Sequence, residues 1–458
     1  MDVKTATGSA RVQSVDMMRG LVIFVMIFAN FRFMGAPWFM EHYYHHDPNA
    51  FSGTTYVDYI FSMFLLMVGI SIPLAFRKYE DSWRGRWRLV WHILLRGGSM
   101  LFIGVIWVNQ PNLSKMGEWS FMNRWWDYVG ISHADGASAC WKLVISTGIL
   151  LLFNQTLADN YIMRRISLAM RLAGAAILGY YMIIYVQPGE TVASPSGWWP
   201  LRWIHCIFFN EGNWLHGQWW EIIGLIGWAY MTAGIIYLAL RRYGEMIYLG
   251  LVFLVVAATA TKLGRFDNVP ILSSYAGFLF NDAVVVLLGA GLGVMMFKAS
   301  GNIRASYGIL TRFAVLCAAM VAITSPWAGL DCSPEQQAQG GIYKFMFGVD
   351  KEAATLGWML ATAFFGALLW MGLYFLCDVR KIDNMAFRFI KKLGSVPLAA
   401  YIWQFWIFSF LNATGLLIFR WNEKYCNRWT SALISFLVTV FICYVAVFCK
   451  NRKFSLKL

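Results

Sequence analysis

The sequence predicts an all-α fold: a polytopic integral membrane bundle of about 10–12 transmembrane helices, each near the ~20 residues that span a bilayer. Three observations carry this. Hydrophobic residues make up 59% of the 458-residue chain, charged residues 14%, and mean hydropathy is +0.53, whereas soluble domains carry about 25% charged residues. Apolar runs of spanning length recur from end to end. No charge-rich tract is long enough to form a soluble domain, so residues 1–458 read as a single transmembrane domain.

In order, the first span falls near 17–36, behind the SVDMMRG segment, and carries Asp16, Arg19 and Asn30 along one helix. No small-residue cleavage site follows it, so it is expected to remain rather than leave as a signal peptide. The second, near 56–76, opens on Asp58, and the third, near 89–108, holds His92 and Arg96 at i, i+4. Spans near 137–155 and 166–186 follow, with Arg171 in the first turns of the latter. Glu221 enters the sixth, near 219–240; a seventh lies near 244–261; Asn281 and Asp282 enter the eighth, near 276–297. The ninth, near 307–325, begins around Arg312, and the last three fall near 354–377, 396–418 and 430–449.

Basic residues orient the bundle, because cytoplasmic loops carry the excess of Lys and Arg. Arg77, Lys78, Arg84, Arg86 and Arg88 follow the second span, Arg164 and Arg165 the fourth, and Arg241 and Arg242 the sixth. Lys298 and Arg304 follow the eighth, Arg380, Lys381, Arg388, Lys391 and Lys392 the tenth, and Lys450, Arg452, Lys453 and Lys457 the last. Both termini are therefore expected in the cytoplasm, and the expected location is the bacterial inner (cytoplasmic) membrane. The net charge of +14 is accounted for by basic loops facing anionic lipid headgroups, so no nucleic acid partner is implied. The eight cysteines form no C-x-x-C pair and no metal pattern. Cys206, Cys332 and Cys426 fall in outer loops, an odd number that leaves the redox state open. There is no GxxxxGK[ST], no GxGxxG after a strand and no GxSxG.

The chemistry must then lie with polar residues near membrane depth, which mark working sites more often than structural ones. On the expected outer side stand Asn30, the loop histidines His42, His45 and His46, and Asp58, Glu221, Asn281 and Asp282, with Trp220 placed to stack on a sugar ring. On the cytoplasmic side stand Arg19, His92 and Arg96. Snorkelling or helix-to-helix pairing suffices for Arg171 and Arg312, interfacial anchoring for most tryptophans, and a structural or surface role for each of His133, His205 and His216. Cations inside and carboxylates outside suit an anionic cytosolic donor, such as the phosphorylated carrier acetyl-CoA, and a neutral or cationic acceptor from the far side. A loop imidazole could act there as base or as acyl carrier.

These same residues carry a resemblance. RVQSVDMMRGLVIFVMIFANF (Arg11 to Phe31), the histidine-bearing loop and SGTTYVDYIFSMFLLMVGISI together resemble the core of the heparan-α-glucosaminide N-acetyltransferase family and its bacterial relatives in the transmembrane acyltransferase superfamily. WWEIIGLIGWAY (Trp219 to Tyr230) and GSVPLAAYIWQFWIF (Gly394 to Phe408) are similar to segments of those relatives. The resemblance implies a catalytic asparagine at Asn30, a carboxylate at Asp58 and a catalytic loop histidine, with His46 preferred, then His45, then His42. It implies acetyl transfer from cytosolic acetyl-CoA, as co-substrate and without a metal, to an amino sugar or glycan of glucosamine type across the membrane. Arg19, Arg96 and His92 are the expected donor contacts, and Glu221, Asp282, Asn281 and Trp220 the acceptor contacts. Gln404 departs from the pattern, standing where many relatives have histidine.

A secondary transporter or flippase for a sugar or glycan is the alternative from another class, since charged residues at depth fit it as well. No repeat between the halves and no matched pair of broken spans supports it. Small residues at Gly224, Gly227, Gly234, Gly289, Gly291 and Gly293 permit close helix contact, around a ligand or between two copies in a homodimer, and the sequence favours neither.

Overall fold

The structure is a computed structural model. It describes residues 12–31, 37–43, 53–79, 81–109, 120–156, 161–185, 199–209, 212, 214–217, 220–299, 301–324, 340–416, 427–452 and 454–456. His45 and His46 lie outside the described residues, as do Cys332 and Cys426.

The helices run α1 Gln13–Asn30, α2 Tyr56–Phe76, α3 Trp83–Val108, α4 Ser120–Val129, α5 His133–Leu152, α6 Tyr161–Ile184, α7 Trp199–Phe209 and α8 Glu221–Leu240. They continue as α9 Ile247–Lys262, α10 Pro270–Lys298, α11 Ile303–Thr324, α12 Gly340–Phe347, α13 Leu356–Tyr374, α14 Met385–Leu393, α15 Pro397–Ala413 and α16 Arg428–Asn451. Two three-residue strands, β1 Asn154–Thr156 and β2 Phe454–Leu456, pair antiparallel and leave the all-α class unchanged. Among the described residues ten helices are long and apolar enough to cross a membrane, or eleven if the α14–α15 pair, bent by 88°, is one span. The chain is an integral membrane protein.

Every expected span corresponds to a helix, with two changes of substance. α9, at 16 residues, is short for a full crossing at 1.5 Å per residue. α1 begins at Gln13 and ends at Asn30, rather than running to residue 36. Phe31 closes it with a backbone bond to the Ile27 carbonyl and wedges edge-on against Phe408, ring centroids 5.5 Å apart. Asn30 is thus the last residue of the helix and exposed, rather than an amide inside a span.

Helix starts follow local chemistry. Ser82 caps α3, Ser132 α5, Thr355 α13 and Asn427 α16, each accepting a backbone N–H of its first turn. Proline begins α10 and α15, where its missing N–H costs nothing.

The helices that carry polar residues are the central ones. The spanning stretches of α1, α2, α8, α10 and α13 are 56–61% buried, against 22% for α6 and 17% for α11, which present Leu, Ile and Val outward. Glycine permits the tightest central crossings: a Cβ on Gly69 would sit 1.9 Å from the Val286 carbonyl oxygen, and one on Gly289 2.2 Å from that of Leu66, so α2 and α10 touch backbone to backbone. Gly227 and Gly293 likewise pack within the chain, on α3 and α2. Arg171, as expected, is structural: its Nε donates to the Asn154 carbonyl at 2.7 Å.

Candidate active site

Two cavities meet inside this central group. The first, about 420 Å³, opens at the end of the bundle that carries the N-terminus of α1, the C-terminus of α2 and the α14–α15 bend. Its charged lining is Arg19, Lys78, His92 and Arg96, with no carboxylate. The second, about 480 Å³, lies toward the opposite end and is lined by Asn30, His42, Asn281, Asp282, Lys351 and Glu352 among apolar neighbours. Met26 is the one described residue that lines both.

Arg19 is fixed by local and distant partners. It donates to Ser71 Oγ at 2.6 Å, to the Gly394 carbonyl at 3.2 Å and to Asp16 at 3.4 Å. These bonds tie α1 to α2 and to the α14–α15 bend at the mouth of the first cavity. Arg96 lies over the Tyr230 ring, 5.4 Å from its centroid, and its buried Nε has no hydrogen-bond partner among the described residues. A guanidinium with an unused buried donor is suited to an anionic guest. The expected grouping of Arg19, His92 and Arg96 is what the structure brings together, and it adds Lys78.

At the other end, Asp58 is 3% exposed. One of its oxygens accepts the N–H of Thr55 at 2.8 Å and the N–H of Tyr43 at 3.0 Å and lies 3.3 Å from the Thr55 hydroxyl; the other faces His42 Nδ1 at 2.6 Å. The first two residues of this set explain the local fold. Thr55 and Asp58, three apart at the start of α2, form a capping box, and the Thr55 hydroxyl donates to the Glu41 carbonyl at 2.6 Å. The loop is therefore gripped on both sides of His42. Trp358 Nε1 donates to the Asp58 carbonyl at 2.9 Å, and Ser62 bonds Thr362 at 2.6 Å, which locks α2 to α13 behind the site. A carboxylate on Nδ1 favours the tautomer that carries the proton there and orients the ring, which is what a general base requires of its carboxylate.

Asn30 makes no side-chain hydrogen bond among the described residues and lines the second cavity, so its amide is available to a guest. On α10, Asn281 and Asp282 are each 9% exposed; Asn281 Oδ1 is buried without a partner, and the Asp282 carboxylate accepts no hydrogen bond among the described residues. Lys351 lies 3.5 Å from His42 Nδ1 and 3.6 Å from Glu352. Lys351 and Glu352 are functional candidates that the sequence reading passed over; the run Asp350–Lys351–Glu352 immediately before an apolar span was the available signal.

Two expected acceptor contacts are corrected. Trp220 and Glu221 line neither cavity. Both adopt left-handed backbone conformations, φ 64° and 56°, which turn the Glu221 carboxylate back onto the start of its own helix. It accepts the Ile223 N–H at 3.0 Å and the Tyr401 hydroxyl at 2.8 Å. Trp220, 1% exposed, packs edge-on against Trp228 at 5.4 Å and beside Phe208 and Tyr275, so stacking on a sugar is replaced by packing in an aromatic cluster. Among the described residues no group of three His, Cys, Asp or Glu could hold a metal ion.

Fold and site together define a helical membrane protein with a cationic and an acidic, imidazole-bearing cavity placed end to end. Residues 11–134 match the family model for heparan-alpha-glucosaminide N-acetyltransferase, catalytic, the family that the motif resemblance named. It is 31% identical over 102 residues to heparan-alpha-glucosaminide N-acetyltransferase of Homo sapiens, and likewise to that of Mus musculus. Each alignment covers 22% of this chain and 14% of the relative, so the matched part is a small share of either relative's length. Arg19, Asn30, His42, Asp58, His92 and Arg96 all fall within the matched region, whereas Asn281, Asp282 and Lys351 lie beyond it.

Proposed function

We propose that the protein is a transmembrane acetyltransferase that moves an acetyl group from acetyl-CoA on the cytoplasmic side to a glucosamine-type amino sugar or glycan on the far side. The observation that carries this reading is the pair of cavities of opposite character that meet at Met26. The first cavity opens on the face carrying Arg77, Lys78, Arg241, Lys391 and Lys450, the face that the basic-loop bias assigns to the cytoplasm. Arg19, Lys78, His92 and Arg96 would hold the donor's phosphates there.

In the second cavity His42 Nε2 takes the proton from the acceptor amine as its nitrogen attacks the thioester carbon. Asn30 donates its amide N–H to the oxyanion of the tetrahedral intermediate, which collapses with cleavage of the carbon–sulfur bond. The amide forms, the thiolate leaves and takes up a proton as free thiol, and His42 returns its proton to solvent. Asp58 orients the ring and stabilises its charged form. Asp282 and Asn281 bind polar hydrogens of the acceptor. Transfer through an acetylated His42 uses the same residues, and parallel rather than intersecting initial-velocity lines distinguish it.

Purified protein incubated with radiolabelled acetyl-CoA and glucosamine tests the reading. N-acetylated sugar is the expected product. Neither acetyl transfer nor acetyl-CoA hydrolysis, in protein shown to be folded, would remove the enzyme reading and leave solute counterflow to be measured.

A further inference from the structure

α15 starts where the chain, after the 88° bend, turns back into the bundle. Its first turn is uncapped: among the described residues neither a side chain nor a backbone carbonyl accepts the N–H of Leu398 or Ala399, and both residues line the first cavity. Open N–H groups and the helix dipole together attract an anion to such an end, as they do where broken spans meet anionic substrates. The end is held firmly in place. A Cβ on Gly394 would collide with the Asp16 carbonyl oxygen and one on Gly20 with that of Ile390, so the bend lies backbone to backbone on α1.

A separate observation points to a guest at the same place. Tyr230, 3% exposed, lines this cavity, and its buried hydroxyl has no hydrogen-bond partner among the described residues. Arg96 lies over the Tyr230 ring with its own Nε likewise unused. Arg19, bonded to the Gly394 carbonyl, brings a second guanidinium to the entry of α15. Along α3 the lining residues order the cavity by depth: His92 first, Arg96 ~6 Å further in and Met100 ~6 Å beyond. Lys78, just past the end of α2, stands with His92 toward the opening. Deeper than Arg96 the wall passes to Ile23, Met26, Phe64 and Met100, where a phosphate would lose its hydration without recovering a partner.

From this we infer that the uncapped first turn of α15, with Tyr230 and Arg96, is the seat of the donor's diphosphate. This rests on the acetyl-CoA reading and deepens it. The diphosphate is the charged group nearest the thioester-bearing arm, so it is the one that stops where the polar lining ends. The Leu398 and Ala399 N–H groups, the Tyr230 hydroxyl and Arg96 donate to its oxygens. Lys78 and His92, nearer the opening, are left for the ribose phosphate. The uncharged arm behind the sulfur then runs past Met26 toward Asn30, through the part of the cavity that offers no charge.

The test reads binding by titration calorimetry of the purified protein with CoA and with dephospho-CoA, which lacks the ribose phosphate. A carboxylate at Ala399 would occupy the open N–H groups and repel the guest, while the isosteric amide carries no charge; an acidic residue in the first turn also favours the helix, so the fold is expected to survive. Ala399→Asp is expected to bind both ligands at least about tenfold more weakly than Ala399→Asn, the scale of a charge-assisted hydrogen bond. Tyr230→Phe is expected to weaken both by about the same factor relative to wild type. Ala75, which lines the same cavity near the end of α2, gives the comparison: the difference between Ala75→Asp and Ala75→Asn is expected to shrink when the ribose phosphate is absent. A difference at Ala399 that vanishes with dephospho-CoA, or is no larger there than at Ala75, would overturn the inference. Dihexanoyl phosphatidylglycerol, a soluble lipid phosphate, is expected not to displace dephospho-CoA; displacement that Ala399→Asp abolishes would give the turn to a lipid headgroup instead. If wild type binds no CoA, the acetyl-CoA reading falls and this assignment with it. If it binds CoA and transfers no acetyl group, that reading falls alone, and the Ala399 comparison still decides where the diphosphate sits.

Discussion

The two cavities are similar in volume and share a wall, yet they are built by different kinds of sequence. The first takes its cations from the first half of α1, the residues just after α2 and one face of α3, and holds Arg19 with one serine, one aspartate and a backbone carbonyl. The second takes its polar groups from the end of α1, a loop, the middle of α10 and the loop before α13, and fixes the imidazole through a helix cap. The difference teaches that one bundle can set unlike chemistry at its two ends by unlike means, cations on helix faces at one and a capped loop at the other. On one side the lining carries arginines and no carboxylate, the Asp16 that pairs with Arg19 standing outside it; on the other stand the oxygens of Asn281 and Asp282.

The comparison breaks most severely at the imidazole. His42→Ala is expected to lower kcat by about 10²- to 10⁴-fold, the range for losing a general base, whereas His45→Ala and His46→Ala should fall much less. Retained activity in His42→Ala with loss in His46→Ala would move the base to a residue outside the described structure. Asn30→Ala comes next, with a fall in kcat of about 10²- to 10³-fold and little change in either KM, as for an oxyanion donor.

A crossed pair then separates the cavities. Arg96→Ala should raise the donor KM by about tenfold or more, as expected for a lost charge-assisted bond, and leave the acceptor KM alone. Asp282→Asn should do the converse. Shifts of both constants by either variant would contradict separate sites.

The smallest effect lies in the short connection between α2 and α3. The Arg86 guanidinium, and then that of Arg241, hold the Asp81 carboxyl below the usual carboxylate range. A depressed value contributes stability above the unfolded pKa of about 4 and loses it as pH falls through the folded one. Because the side chain is half exposed, Asp81→Asn should cost no more than about 0.5 kcal/mol at neutral pH, vanishing in acid, as thermal unfolding in detergent would read.

Much of this was legible in the residues. Span positions followed from hydropathy alone, because an apolar run of bilayer length has few alternatives. Arg19, His92 and Arg96 could be grouped because helical spacing and the basic-loop bias put them at one depth. Asp58 and Asn30 stood out for the same reason. What could not be read was which loop histidine Asp58 would meet, since that depends on how Thr55 and Asp58 grip the backbone around Glu41 and Tyr43. Glu221 looked like a substrate contact until the left-handed turn at Trp220 and Glu221 folded it onto its own helix. Met26 gave no signal at all: a methionine in an apolar span is ordinary, and only the fold shows that it lines both cavities.

The most direct measurement of the central claim is a sided assay in sealed vesicles reconstituted in one orientation, with radiolabelled acetyl-CoA and glucosamine supplied on chosen faces. The account predicts N-acetylated sugar only when donor is on the first-cavity face and acceptor on the second-cavity face. Product formed with both substrates on the same face, in vesicles shown not to leak, would contradict it.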